Sequence, residues 1–165
     1  MSIQILTHKQ VTQKIRRLAY QIYENNFDQK SVALVGIQTM GFFLAKAIQD
    51  VLQEISPLEI SLLSLEINKN QPLSNPIRLS APVEQLANQN VILIDDVLNS
   101  GKTMFYALQP FFNVPIKKLQ TLVLVNRDYK NFPINPDYVG YSLATTLQNH
   151  VAVVLDKEEK GVFLS

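Results

Sequence analysis

The apolar run Val91-Ile92-Leu93-Ile94 passes straight into Asp95-Asp96, and Val97-Leu98-Asn99-Ser100-Gly101-Lys102-Thr103 follows. A short run of valine, isoleucine and leucine without polar alternation reads as a strand buried on both faces, the habit of a parallel sheet covered by helices. Small residues then turn the chain into a helical segment. The order strand, paired acids, turn, helix sets carboxylates beside a nest of backbone N–H groups. Carboxylates suit hydroxyls or a metal, and such a nest suits a phosphate. A ligand carrying both hydroxyls and phosphate, a sugar phosphate, fits this order of residues best.

The chain around this motif has 165 residues, enough for one domain with a real core. Its formal net charge of +1 gives no global field to recruit nucleic acid or an anionic membrane. It has no cysteine, which excludes disulfides and thiolate metal sites and suits a reducing cytoplasm. Met1-Ser2-Ile3-Gln4-Ile5-Leu6 has neither the basic start nor the apolar stretch of a signal peptide. No apolar run approaches transmembrane length, so no membrane partner is expected.

Thr7-His8-Lys9-Gln10 has the form of a capping box. Val11, Ile15, Leu18, Ala19, Ile22 and Tyr23 then recur at helical spacing and predict a first helix to about Asn26. Val32 to Ile37 reads as a second buried strand, Gln38-Thr39-Met40-Gly41 as a tight turn, and Phe42 to Glu54 as a helix facing inward with Leu44, Ile48, Val51 and Leu52. Leu58 to Ile67 is strand-like. Residues 68–90 are rich in Asn, Gln, Pro and Ser, and a loop of that length in a compact domain is a candidate lid. Further strands are expected at Leu119 to Val125, Asp137 to Leu143 and Val151 to Leu155. The alternation predicts an α/β fold with a parallel sheet and helices on both faces. Ligands bind at the carboxyl ends of such strands, where turns 38–41 and 97–103 both fall.

Each constellation has a plainer reading. Two acids after a strand often make only a solvated turn, but apolar Val97 and Leu98 follow these two. Gly101-Lys102-Thr103 imitates a nucleotide-binding loop, but that motif needs glycine where Asp96 stands. Gly36-Ile37-Gln38-Thr39-Met40-Gly41 is either a simple connection or a second phosphate contact. Asn126-Arg127-Asp128-Tyr129 is either a polar turn or a recogniser of a planar ligand. His8 and His150 form no ligand-spaced pair, and no Ser/His/Asp order is present. Lys157-Glu158-Glu159-Lys160 reads as a solvated turn. Lys14, Arg16 and Arg17 make a basic cluster on the first helix, a solvent face or a small RNA contact.

Residues 91–103 resemble the ribose-phosphate motif of the type I phosphoribosyltransferases. Leu34 to Gly41, Leu44-Ala45-Lys46, Leu124-Val125-Asn126-Arg127, Pro133-Ile134 and Asp137 to Gly140 extend the likeness over most of the chain, toward the bacterial branch that attenuates pyrimidine operons and acts on uracil. The resemblance implies one phosphoribosyltransferase-like domain over residues 1–165, with a parallel sheet, flanking helices and a small hood. It implies that Asp95 and Asp96, the catalytic pair, hold the ribose hydroxyls of phosphoribosyl pyrophosphate (PRPP). Asn99, Ser100, Gly101, Lys102 and Thr103 would wrap its 5′-phosphate, and Thr39, Met40 and Gly41 would face the pyrophosphate. Asn126, Arg127 and Val139 would contact the base. Mg²⁺ would arrive with PRPP near Asp95 and Asp96 rather than on protein ligands of its own. The implied reaction makes UMP from uracil in the cytoplasm, by a homo-oligomer; a weakly active PRPP or UMP sensor, with or without RNA, and a purine enzyme are the alternatives. Four departures bear on these. Met40 stands where the family usually has Arg. The charged, aromatic stretch expected near Glu66-Ile67-Asn68 is missing, and Asn126 replaces an acid. Asn99 replaces the Asp by which 6-oxopurine enzymes handle a proton, although Pro136-Asp137-Tyr138-Val139-Gly140 also resembles those enzymes.

Overall fold

A computed structural model describes residues 1–144 and 149–165. The elements are β1 (Ile3–Leu6), α1 (His8–Asn26), β2 (Ser31–Ile37), α2 (Met40–Ile55), β3 (Glu59–Glu66), β4 (Arg78–Leu79), β5 (Asn90–Leu98), α3 (Lys102–Ala107), β6 (Lys118–Asn126), β7 (Tyr138–Ser142), β8 (Val151–Val154) and β9 (Gly161–Leu164), with 3₁₀ turns at Val83–Leu86 and Gln109–Asn113. Among the described residues six strands form the main sheet in the order β4-β3-β2-β5-β6-β7, parallel throughout except for β4 at the edge. The expected parallel α/β architecture is therefore present.

The central strands are buried because their sequences carry nothing that wants water. Val32 to Val35, Val91 to Ile94 and Leu122 to Val125 all lie at 1% exposure or less. One apolar cluster joins the sheet to α1 and α2; the other joins it to α3 and the 3₁₀ turns. Helix α1 starts as its sequence predicts: the Thr7 hydroxyl accepts from Gln10 N at 3.3 Å, and Thr7 N donates to Gln10 Oε1 at 2.9 Å. In α2, Leu44, Ile48 and Leu52 are buried, and Val51 is half-buried at the margin of that face.

Three features differ from the sequence expectations. Strand β5 runs on through Asp95 and Asp96 to Leu98, so the acids lie within the strand and the turn expected from residue 97 starts only at Asn99. Residues 68–90 are not one long loop. Strand β4 pairs antiparallel with β3, Leu86 is 1% exposed, and Ile77, Leu79, Ala81 and Val83 pack on the second cluster. Only 68–77 is left as a lid-like segment. Strand β8 lies outside the parallel sheet, in a small antiparallel one of order β1-β9-β8 made with both terminal segments. In that small sheet β8 lies against β5. Lys157 to Lys160 form its connecting turn. No helix among the described residues is long and apolar enough to cross a membrane.

Candidate functional site

Turn 99–101 is built by the chain itself. Gly101 adopts φ 87°, a left-handed conformation that glycine takes without strain. The Ser100 carbonyl accepts from Asn131 N and Phe132 N at 2.9 and 3.1 Å, and the Ser100 hydroxyl accepts from Lys102 N at 3.3 Å. The N–H groups of Ser100 and Gly101 meet no acceptor among the described residues. Asp95, Asn99, Ser100, Gly101, Lys102 and Thr103 line one narrow hollow of about 40 Å³ at the carboxyl end of β5. A carboxylate and free amide donors therefore share one concavity, as the sequence order required.

Asp95 is 3% exposed. Its Oδ1 accepts from Asp96 N at 2.9 Å and from Lys69 Nζ at 3.3 Å. Burial holds its carboxyl well above the usual range, the neighbouring Asp96 charge pushes the same way, and Lys69 opposes both. Asp96 is half-buried and lies outside the residues lining the hollow, as strand alternation dictates for consecutive side chains. The twin convergence expected of the pair is thus uneven: Asp95 lines the hollow and Asp96 flanks it.

The second suspected turn meets strand β5 at Gly41. A Cβ there would stand 2.7 Å from the Ile94 carbonyl oxygen and 3.0 Å from Asp95 Cα, so the start of α2 lies directly on β5 beside the acids. Gln38 and Thr39, joined by a cis peptide, open onto a larger hollow of about 530 Å³ shared with Glu66, Asn68 and Arg78. Met40 faces elsewhere. It is half-buried and packs against the cluster under α1 and α2, so its thioether is placed in the core and not in either hollow.

The three residues expected to contact the base lie on β6, just after it and on β7. Asn126 is 9% exposed, and its Oδ1 accepts from Asp128 N at 3.1 Å, capping a local turn. Val139 is half-buried, level with Val123 and hence with Asp95, and packs against the second cluster. Arg127 is the most enclosed of the three. It is 5% exposed, with Nη1 donating to Asn99 Oδ1 at 2.9 Å and Nη2 to the Asn149 carbonyl at 2.7 Å. Its guanidinium stacks over the Tyr129 ring at 4.9 Å. Arg127 thereby joins the end of β6 to the turn after β5 and to residue 149. Lys69 and Arg78, which sequence reasoning did not single out, both border the site. Nothing local marks them, since each is a lone cation in a polar stretch, and Asp95, the partner of Lys69, lies 26 positions further on. No cluster of three or more His, Cys, Asp or Glu able to hold a metal occurs among the described residues.

Residues 2–158 match the Phosphoribosyl transferase domain family. The chain belongs to the phosphoribosyltransferase family. It is similar to the Bifunctional protein PyrR of Leuconostoc mesenteroides, 30% identical with 93% of this chain and 91% of that protein covered. It is also similar to the protein of the same name from Streptomyces coelicolor, at 32% identity over 94% and 84%. Among solved structures, the hypoxanthine phosphoribosyltransferase of Trypanosoma cruzi superposes with a TM-score of 0.77 at 14% identity, covering 96% of this chain and 94% of that one. A hypoxanthine-guanine phosphoribosyltransferase of Bacillus anthracis gives 0.72 at 18%, over 87% and 83%. These two likenesses are of fold.

Proposed function

We propose that residues 1–165 form one domain that transfers ribose 5-phosphate from PRPP to a nucleobase, uracil first, releasing pyrophosphate. The observation that carries this is the shared hollow of Asp95 and the amide-lined turn 99–103. In this reading the free N–H groups of Ser100 and Gly101 and the Thr103 hydroxyl take the 5′-phosphate. Asp95 takes a ribose hydroxyl, and Asp96 stabilises the positive charge that grows on the sugar as pyrophosphate leaves. Turn 38–41 faces the pyrophosphate. A Mg²⁺ ion would enter on PRPP and borrow at most one or two carboxylates, those of Asp95 and Asp96. When bound, that ion would neutralise the leaving group.

Uracil is favoured over a 6-oxopurine because Asn99 cannot exchange a proton at its position. A homo-oligomer in the cytoplasm belongs to the same reading. Met40 in the core and Lys69 seated on Asp95 support a second reading, a PRPP- or UMP-binding sensor with little turnover.

One experiment separates them. The protein is mixed with PRPP, Mg²⁺ and, in turn, uracil, orotate, hypoxanthine, guanine and xanthine. Steady pyrophosphate release with uracil is expected. Tight PRPP binding without release leaves the sensor, and neither binding nor release overturns both.

A further inference from the structure

Arg127 is a heavily engaged side chain at the site, 5% exposed and held from several sides. Its backbone N–H donates to the Leu98 carbonyl at 3.0 Å, so it is tied to the end of β5 as well as to β6. Its two terminal nitrogens reach Asn99 Oδ1 at 2.9 Å and the Asn149 carbonyl at 2.7 Å, while Tyr129 covers the guanidinium plane. A guanidinium only donates hydrogen bonds. The Asn99 end facing it is therefore the carbonyl, and the amide flip of Asn99 is settled by chemistry. The Asn99 Nδ2, which has no acceptor among the described residues, is left on the outer, exposed side of a residue that lines the hollow.

Resting on the phosphoribosyltransfer reading, we propose that Arg127 is a positioning residue that fixes the Asn99 carboxamide as an outward donor, so that the site selects a base by a hydrogen-bond acceptor, a carbonyl oxygen or an unprotonated ring nitrogen. Arg127 itself touches neither base nor sugar. Free rotation of Asn99 would present oxygen and nitrogen alike and blur that selection. The planar fork matters, because one terminal nitrogen must hold Asn99 and the other the Asn149 carbonyl.

A double-mutant cycle tests this. Arg127→Gln and Asn99→Ala are each expected to lower kcat/KM for the base about tenfold or more at saturating PRPP. The double variant is expected to stay within about threefold of Asn99→Ala alone, since Arg127 acts through Asn99. Losses that multiply overturn the proposal. Arg127→Lys keeps the charge but not the fork, and is expected to lose selectivity between bases more than it loses PRPP binding.

NMR of the unmutated protein titrated with UMP gives a readout that needs no variant to fold. The Asn99 side-chain N–H₂ resonances are expected to move; a nuclear Overhauser contact from Arg127 to the base protons overturns the assignment. A protein that neither binds PRPP nor turns over any base sinks the phosphoribosyltransfer reading and takes this inference with it. One that is active, but with multiplying losses, sinks this inference alone.

Discussion

Asp95 pays for its position in stability. Its folded-state pKa lies above that of the unfolded chain, chiefly through burial, with the Asp96 charge adding to it. Between those two values the folded protein holds a proton that the unfolded chain releases, so stability falls as pH rises through the interval, and the penalty is complete above it. Asp95→Asn removes the penalty along with the charge. The variant is expected to melt at a higher temperature than the parent near pH 7, by a margin that shrinks as pH falls and closes below about pH 4, where the parent carboxyl becomes protonated in both states. The lost Lys69 contact subtracts little, because the lysine side chain is 41% exposed. Scanning calorimetry across that range checks it, and a margin independent of pH contradicts it. The same variant is expected to lose transfer activity. Asp96→Asn, at the flank of the hollow, is expected to cost on the order of tenfold or more in kcat with near-parental Tm, measured by pyrophosphate release.

Two contacts between elements tune the site. At Gly41, α2 approaches β5 so closely that Gly41→Ala would press a methyl into the Ile94 carbonyl and the Asp95 backbone, neither of which can swing aside. A cost of about 1–3 kcal/mol in chemical denaturation is expected, with PRPP affinity falling alongside. At the lid-like segment, Lys69 is the cation that lowers Asp95's pKa. Lys69→Met is therefore expected to raise it further and to move the acid limb of the kcat/KM–pH profile to higher pH. These two contacts also mark where the sequence was readable. Helix α1 with its capping box, the buried runs of β2, β5 and β6, and the glycine turn at 101 are written in neighbouring residues, so local pattern finds them. Lys69 on Asp95 and Arg127 on Asn99 each join residues more than twenty positions apart. Asn126-Arg127-Asp128-Tyr129 reads as a polar turn in any window, and only the packing of β6 against β5 draws the guanidinium inside. Strand β4, two residues long, is too short for alternation to show.

The ends of the chain close on each other, and that closure reaches the site. Strand β9 is the middle strand of the small sheet, with β1 on one side and β8 on the other. His150 and Ser165 exchange two backbone hydrogen bonds of 2.7 and 2.9 Å, which fix the entry to β8 one residue after Asn149. The Asn149 carbonyl is what Arg127 grips, so the small sheet holds one end of the brace that steadies Asn99. Neither β1 nor β9 shows in its own residues, because each acquires meaning only by pairing with the opposite end of the chain. Val162, at 0% exposure, ties β9 into the cluster that also contains Leu6 and Val153. Val162→Ala leaves a cavity there, and a loss of about 2 kcal/mol is expected, which for a domain of this size lowers Tm by roughly 4–8 °C. Hydrogen exchange should quicken at β8, β9 and His150 while β2 and β5 keep their protection, because the main sheet also packs on the second cluster, to which no residue of the small sheet belongs. If exchange instead rises uniformly across both sheets, the two unfold as one unit, and the small sheet is then a part of the main core and not a separate clamp upon the site.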